Sequence, residues 1–236
     1  MATKKSKSAK EIKSVKKTVK LENKKLDKSI LFSIAFVISA VALSILFYNS
    51  LPQIITTHWG INGEANGFMD KTTGLTLVPL LMIIIGLVLY FIPKLDPLKE
   101  NILDFRKDYN KFIAVIMGFM LYIHAITLGI NLGLNINIGQ VLSPAFAALI
   151  YFTGSMISKA KRNYFIGIRT PWTLSNDKVW ASTHTIGGKL FKGAGILCLT
   201  GLLFPDFAFF FILAPIIIAS IWAIVYSYKE YAALKK

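Results

Sequence analysis

Charge, cysteine and histidine are all scarce in this 236-residue chain, and each scarcity closes off a class of protein. Charged residues make up 17% of the sequence against 54% apolar, where a soluble domain carries roughly 25% charged residues. Too little charge is present to cover a surface in water. The one cysteine, Cys198, rules out a disulfide framework and a Cys/His zinc cluster. Among three histidines there is no HExxH pair, and no glycine-rich phosphate loop follows a strand. No nucleophile–base constellation is visible, so no catalytic residue, metal or cofactor is expected.

What the chain does have is long uncharged runs, at 29–50, 74–92, 112–134, 137–157, 186–204 and 207–228. A bilayer core about 30 Å thick takes roughly 20 helical residues, and in hydrocarbon every backbone group has to bond internally. The runs predict an all-α membrane protein with six transmembrane helices. Residues 1–28 hold 11 lysines, and that face carries 26 of the 27 basic residues, with Lys71 alone opposite. By the positive-inside rule the basic face is cytoplasmic, and an even helix count places both termini there. The reading is a multi-pass protein of the cell membrane in three parts: a Lys-rich cytoplasmic tail (1–28); four transmembrane helices (29–157) with an outer loop at 51–73 and an inner amphipathic segment at 95–111; and an inner segment with two more transmembrane helices (158–236).

The net charge of +15 suggests nucleic acid, but the Lys-rich tail has no aromatic residue to stack on bases. A solvated tail or a contact with anionic lipid suits it better. Within 95–111, Asp96 is expected to cap a helix beginning at Pro97. Leu98, Ile102, Phe105, Tyr109 and Phe112 then form an apolar stripe, read as a helix lying on the inner membrane surface. The pairs Gly129/Gly133, Ser143/Ala147 and Gly154/Ser158 suit close helix packing.

Two polar segments carry the functional information. The outer one, 51–71, contains His58, Glu64 and Asp70, and Gly60, Gly63 and Gly67 permit a compact fold. It reads either as a small polar site or as a structured turn anchored by Trp59 and Phe68. The inner one, 162–191, contains GIRTPW. Pro171 keeps Thr170 extended, and Ser175 or Asn176 is placed to start a helix with Val179, Trp180 and Thr183 on one face. Arg169 offers a planar fork of donors to a carboxylate or phosphate; the bland reading is interfacial anchoring by Trp172 and Trp180. His124 lies mid-helix in the third span. It is either an intramembrane polar site or a neutral imidazole bonded to a Ser or Thr of another helix.

The inner segment, with Asn163, Gly167, Arg169, Thr170, Pro171, Trp172, Thr173, Leu174, Trp180, Thr183, His184 and Gly188, resembles the C-terminal signature of the SdpI family. The outer one, with Leu51, Pro52, His58, Gly63, Gly67 and Lys71, is similar to the domain of unknown function that often precedes it. It departs from that pattern at Ala65 and Asn66, where proline and aspartate are expected, and at Phe68, often tryptophan. The missing carboxylate argues against an outer cation site. The resemblance implies an immunity or signal-transduction protein without catalysis, set in a lipid bilayer and binding a secreted toxin peptide or a cytoplasmic repressor protein. Its implied binding residues are His58, Gly63, Gly67, Asn163, Gly167, Arg169, Thr170, Pro171, Trp172, Trp180 and His184. The alternative is a membrane-embedded enzyme or small-solute transporter with a polar site near His124 and the two motifs.

Overall fold

The computed structural model describes residues 27–234, so the Lys-rich tail lies almost wholly outside the described residues. The Asp27 carboxylate accepts the Ser29 N–H at 2.9 Å and starts α1 (Lys28–Phe47). After a short 3-10 turn the chain forms a hairpin of β1 (Ile54–Trp59) and β2 (Ala65–Asp70). Helices α2 (Lys71–Leu95), α3 (Lys99–Asp104), α4 (Arg106–Asn131) and α5 (Ile138–Ile157) follow. The chain then forms the short α6 (Pro171–Ser175), α7 (Asp177–Cys198) and α8 (Ala208–Ala233). Helices α1, α2 and α4 pack as one group, α5, α7 and α8 as another, and α4 against α5 joins them.

Among the described residues, five helices are long and apolar enough to cross a membrane: Lys28–Ser50, Lys71–Leu95, Arg106–Asn131, Ile138–Ile157 and Pro205–Ala233. The expected run at 186–204 falls short of that standard. It begins inside α7, which carries Asp177, Lys178, Lys189 and Lys192. The protein is therefore a mainly helical membrane protein, with a sixth apolar segment attached to a polar helix.

The fold is not wholly helical, and the difference lies in the outer loop. Gly60 and Gly63 close the hairpin turn, with Gly63 at φ +81°. Gly67 lies opposite His58, where a Cβ would sit 2.7 Å from the His58 Cβ. Asn131, at the end of α4, holds the Thr56 backbone from both sides: it accepts the N–H at 2.7 Å and donates to the carbonyl at 2.9 Å. Ile55 is buried beneath, against Leu51, Leu75 and Leu128. A bulge breaks the register between Thr56 and His58, so the alternation that marks a strand is obscured in the sequence.

The inner amphipathic segment also differs from expectation. Asp96 does not begin a helix at Pro97; its carboxylate accepts the Leu98 N–H at 2.6 Å and the Tyr164 N–H at 2.8 Å, and α3 starts at Lys99. The stripe of Ile102, Phe105 and Tyr109 is buried in protein, packed with Met156, Ile157, Ala160, Ile166 and Trp180. Protein takes the place that a lipid surface was expected to fill. Of the small-residue pairs, Gly129/Gly133 is a helix end rather than a contact: Gly133 has φ +99°, and a Cβ at Gly129 would meet Leu134 of the same turn. Gly154 and Ser158 do meet a neighbouring helix, α7, at Gly188.

Candidate functional site

The two polar segments lie at opposite ends of the bundle. The hairpin joins the end of α1 to the start of α2, and the 158–176 segment is tied to the far end of α2 through Asp96. Within the hairpin the candidate residues stay apart. His58 pairs with Asn66 at 2.5 Å, Glu64 accepts from the Asn62 amide at 2.6 Å, and Asp70 caps α2 through Thr73. Each serves a local bond, and no common site forms between them.

The inner segment is different, because its residues build one another's surroundings. Asn163 is fully buried and uses both ends of its amide. It donates to the carbonyls of Lys161 and Ile166 at 2.8 and 2.9 Å and accepts the N–H groups of Phe165 and Ile166 at 2.9 and 2.6 Å. The turn is wound around this side chain. Asn101 donates to the Arg162 carbonyl at 2.7 Å, and Arg162 donates to the Leu174 carbonyl at 2.9 Å and ion-pairs with Asp177 at 2.6 Å. The Leu174 carbonyl, which the end of α6 leaves open, is thus closed by a side chain.

His184 is the centre of the assembly. Its ring stacks on Trp180 at 3.9 Å between centroids, and the Trp180 indole donates to the Ala160 carbonyl at 2.7 Å. Nδ1 lies 2.8 Å from the Trp180 carbonyl, and Nε2 accepts the Ile168 N–H at 3.0 Å. A carbonyl needs a donor and an amide needs an acceptor, so the ring is the neutral tautomer with its proton on Nδ1. Burial pushes the imidazole down to about 4, against the opposing pull of the Trp180 carbonyl. Gly167 faces this ring with φ +118°, and a Cβ there would collide with Nε2.

Beyond Gly167, Thr170 is extended (φ −112°, ψ 161°) and caps α6, with Pro171 as the first helical residue. Thr170 and Thr173 form a reciprocal capping box, and Thr173 also donates to the Ile168 carbonyl at 2.8 Å. Thr170 reaches Ser227 of α8 at 3.1 Å, and Trp172 meets Tyr228 edge-on at 5.2 Å. Asn176 starts α7 by accepting the Lys178 N–H at 2.8 Å, as expected of it. Arg169 is exposed; one nitrogen donates to the Tyr164 carbonyl at 2.6 Å, and no carboxylate among the described residues pairs with the fork. An open cavity of about 350 Å³ lies alongside, lined by Asn101, Lys161, Arg162, Asp177, Trp180 and His184 among others.

His124 belongs to neither segment. Its Nε2 lies 2.9 Å from the Ser44 hydroxyl, which also contacts the carbonyls of Leu75 at 2.9 Å and Ala40 at 3.1 Å. The imidazole thereby ties α4 to α1 and α2. His124 and the two motifs therefore sit at three separate places among the described residues. Sequence reasoning missed Asn101, Arg162, Ser227 and Asn131. All four are ordinary polar residues whose partners lie 12 to 75 positions away.

Residues 159–227 match the SdpI/YfhL protein family, and residues 35–83 match a domain of unknown function, DUF1648. Over 209 residues the chain is 26% identical to the immunity protein SdpI of Bacillus subtilis (strain 168), covering 88% of this chain and 98% of that protein. No solved structure matches. The chain carries an SdpI-family domain behind the domain of unknown function, and it is a multi-pass protein of the cell membrane.

Proposed function

We propose, from the SdpI-family domain that this chain carries, that it is an immunity-type membrane protein. In this reading it binds a membrane-active peptide or a cytoplasmic regulator and performs no catalysis. The observation that carries the reading is the inner loop, whose buried side chains hold one exposed cation in a fixed frame. Gly167, Thr170 and Pro171 set the path, Asn163 and His184 lock it, and the free part of the Arg169 fork is what the frame presents. A lipid anchor needs no such frame.

A lysine pairs with lipid phosphate as a point charge, so an anchor tolerates Arg169→Lys. A bidentate site does not, because a charge-assisted bond worth roughly 1.5–3 kcal/mol is lost. We expect Arg169→Lys at matched expression to lower protection of cells against the killing peptide about tenfold or more, and Trp172→Phe to lower it less. Wild-type protection from Arg169→Lys would leave only the anchoring role.

The same reading has six membrane crossings with both termini in the cytoplasm. Its support is the pairing of α7 and the 3-10 turn after it with α5, in which Gly188 meets Gly154, Gly195 meets Ala147 and Gly201 meets Ser143. The 20 residues of α5 rise about 30 Å, and residues 188–201 run antiparallel beside residues 143–158. In intact cells, a membrane-impermeant thiol reagent is expected to label Asn66→Cys and to spare Ser175→Cys, with the buried Cys198 as background. Labelling at Ser175→Cys would overturn the orientation.

A further inference from the structure

Three cations at the inner end of the bundle have a carboxylate among the described residues. Lys159 pairs with Asp108, Lys161 with Asp104 and Arg162 with Asp177, each at 2.6 Å. Lys94 and Arg106 have none, and what sets them apart is that they share one aromatic ring. The Lys94 ammonium lies 5.0 Å from the Tyr90 ring centroid and 4.5 Å from that of Phe91. The Arg106 guanidinium lies 5.6 Å from both Tyr90 and Tyr109. Tyr109 is buried, and its hydroxyl donates to the Leu89 carbonyl at 2.7 Å, so this ring is a fixed wall.

Among the described residues neither cation has an ion pair. Of the acids nearby, Asp104 and Asp108 are engaged by lysines and Asp96 by two backbone N–H groups, and Glu100 forms no ion pair with either cation. Two positive charges on one tyrosine repel, and cation–π attraction offsets only part of that at a wet surface. A bound anion resolves the imbalance. The position says which anion. Tyr90 to Leu95 is the last turn of a membrane-spanning helix, the depth at which headgroups begin. Leading up to it along α2, Leu80, Ile84, Leu87 and Phe91 recur at helical spacing, and each is 46–55% exposed.

We infer that Lys94 and Arg106, gathered on the Tyr90 ring, bind the phosphate of an anionic phospholipid whose acyl chain lies along this ridge. The inference does not depend on the partner of the Arg169 loop. A basic pocket between helix ends at the inner leaflet is a recurrent way of holding such headgroups. Free phosphate offers the same oxygens but has no chain for the ridge.

The test is lipid titration of the full chain, purified in detergent, by native mass spectrometry. Phosphatidylglycerol should bind at least about tenfold tighter than phosphatidylcholine with the same acyl chains. The Lys94→Gln/Arg106→Gln variant should bind phosphatidylglycerol about thirtyfold more weakly, at about fivefold per basic residue. Lys178→Gln, in the other helix group, should bind it as wild type does. Should the double variant prove unstable, Lys94→Gln alone, at an exposed position, reads the fivefold step. Equal binding of the two lipids, wild-type affinity in Lys94→Gln or in the double variant, or displacement of the lipid by millimolar inorganic phosphate would each overturn the inference.

Discussion

Gly167→Ala is expected to cost about 3 kcal/mol or more of stability, enough to deplete folded protein. Three penalties meet at this residue. Its φ of +118° lies where side chains are rarely tolerated, a strain of roughly 1–3 kcal/mol. The new Cβ would collide with Nε2 of His184. Moving the ring aside breaks the 3.0 Å bond from the Ile168 N–H, and an unpaired buried partner costs a further 1–3 kcal/mol or so. Gly133→Ala is the internal control, because φ there is +99° but nothing lies within 4 Å of the added carbon. It measures strain alone. The check is thermal unfolding in detergent, with Gly167→Ala melting well below Gly133→Ala. Adding His184→Ala to Gly167→Ala removes the collision, so the two changes should be less than additive. Equal melting of the two alanine variants would mean that His184 does not hold the loop.

That result bears on how the loop works, because Gly167 stands two residues before the exposed Arg169. The Asn163 turn, the His184 bond and the Thr170–Thr173 box each fix the backbone on one side of it. Loosening any one of them should reorient the arginine before it unfolds the bundle. A loss of protection with folded protein retained would place the defect in this frame.

The parts of this structure that were legible in the sequence are those written in local signals. Apolar length marked the helices, Pro171 marked the extended Thr170, and Asn176 marked the start of α7. The hairpin was not legible, because its bulge breaks the alternation and its clamp, Asn131, lies 75 residues from Thr56. The buried fate of Ile102, Phe105 and Tyr109 was not legible either. An amphipathic stripe has the same period whether lipid or protein covers it. The Gly129/Gly133 pair misled for a related reason: spacing does not distinguish a packing face from a helix end. For the candidate site, the family resemblance marked Trp180 and His184. Only tertiary contact revealed that Ala160 and Ile168 satisfy them.

Gly188→Ala is expected to produce the other large effect, by separating α7 from α5. An added Cβ would sit 2.6 Å from the Ser158 Cβ and 2.8 Å from the Gly154 carbonyl oxygen. Backbone atoms on a spanning helix have no rotamer to yield, so the helices have to part. Neighbouring contacts oppose that, since a Cβ at Gly195 would lie 2.7 Å from the Tyr151 nitrogen and 2.8 Å from the Ala147 carbonyl. Overpacking of this kind costs roughly 1–3 kcal/mol, and helix association in lipid rests on such close approach. Gly193→Ala on the same helix meets nothing within 4 Å and should be neutral or stabilising by up to about 1 kcal/mol through helix propensity. Melting of the two variants side by side separates packing from propensity. If Gly188→Ala melts with Gly193→Ala, α7 is not seated against α5. The argument that 188–201 shares the depth of a membrane span then fails with it, because that argument rests on the same glycine contacts.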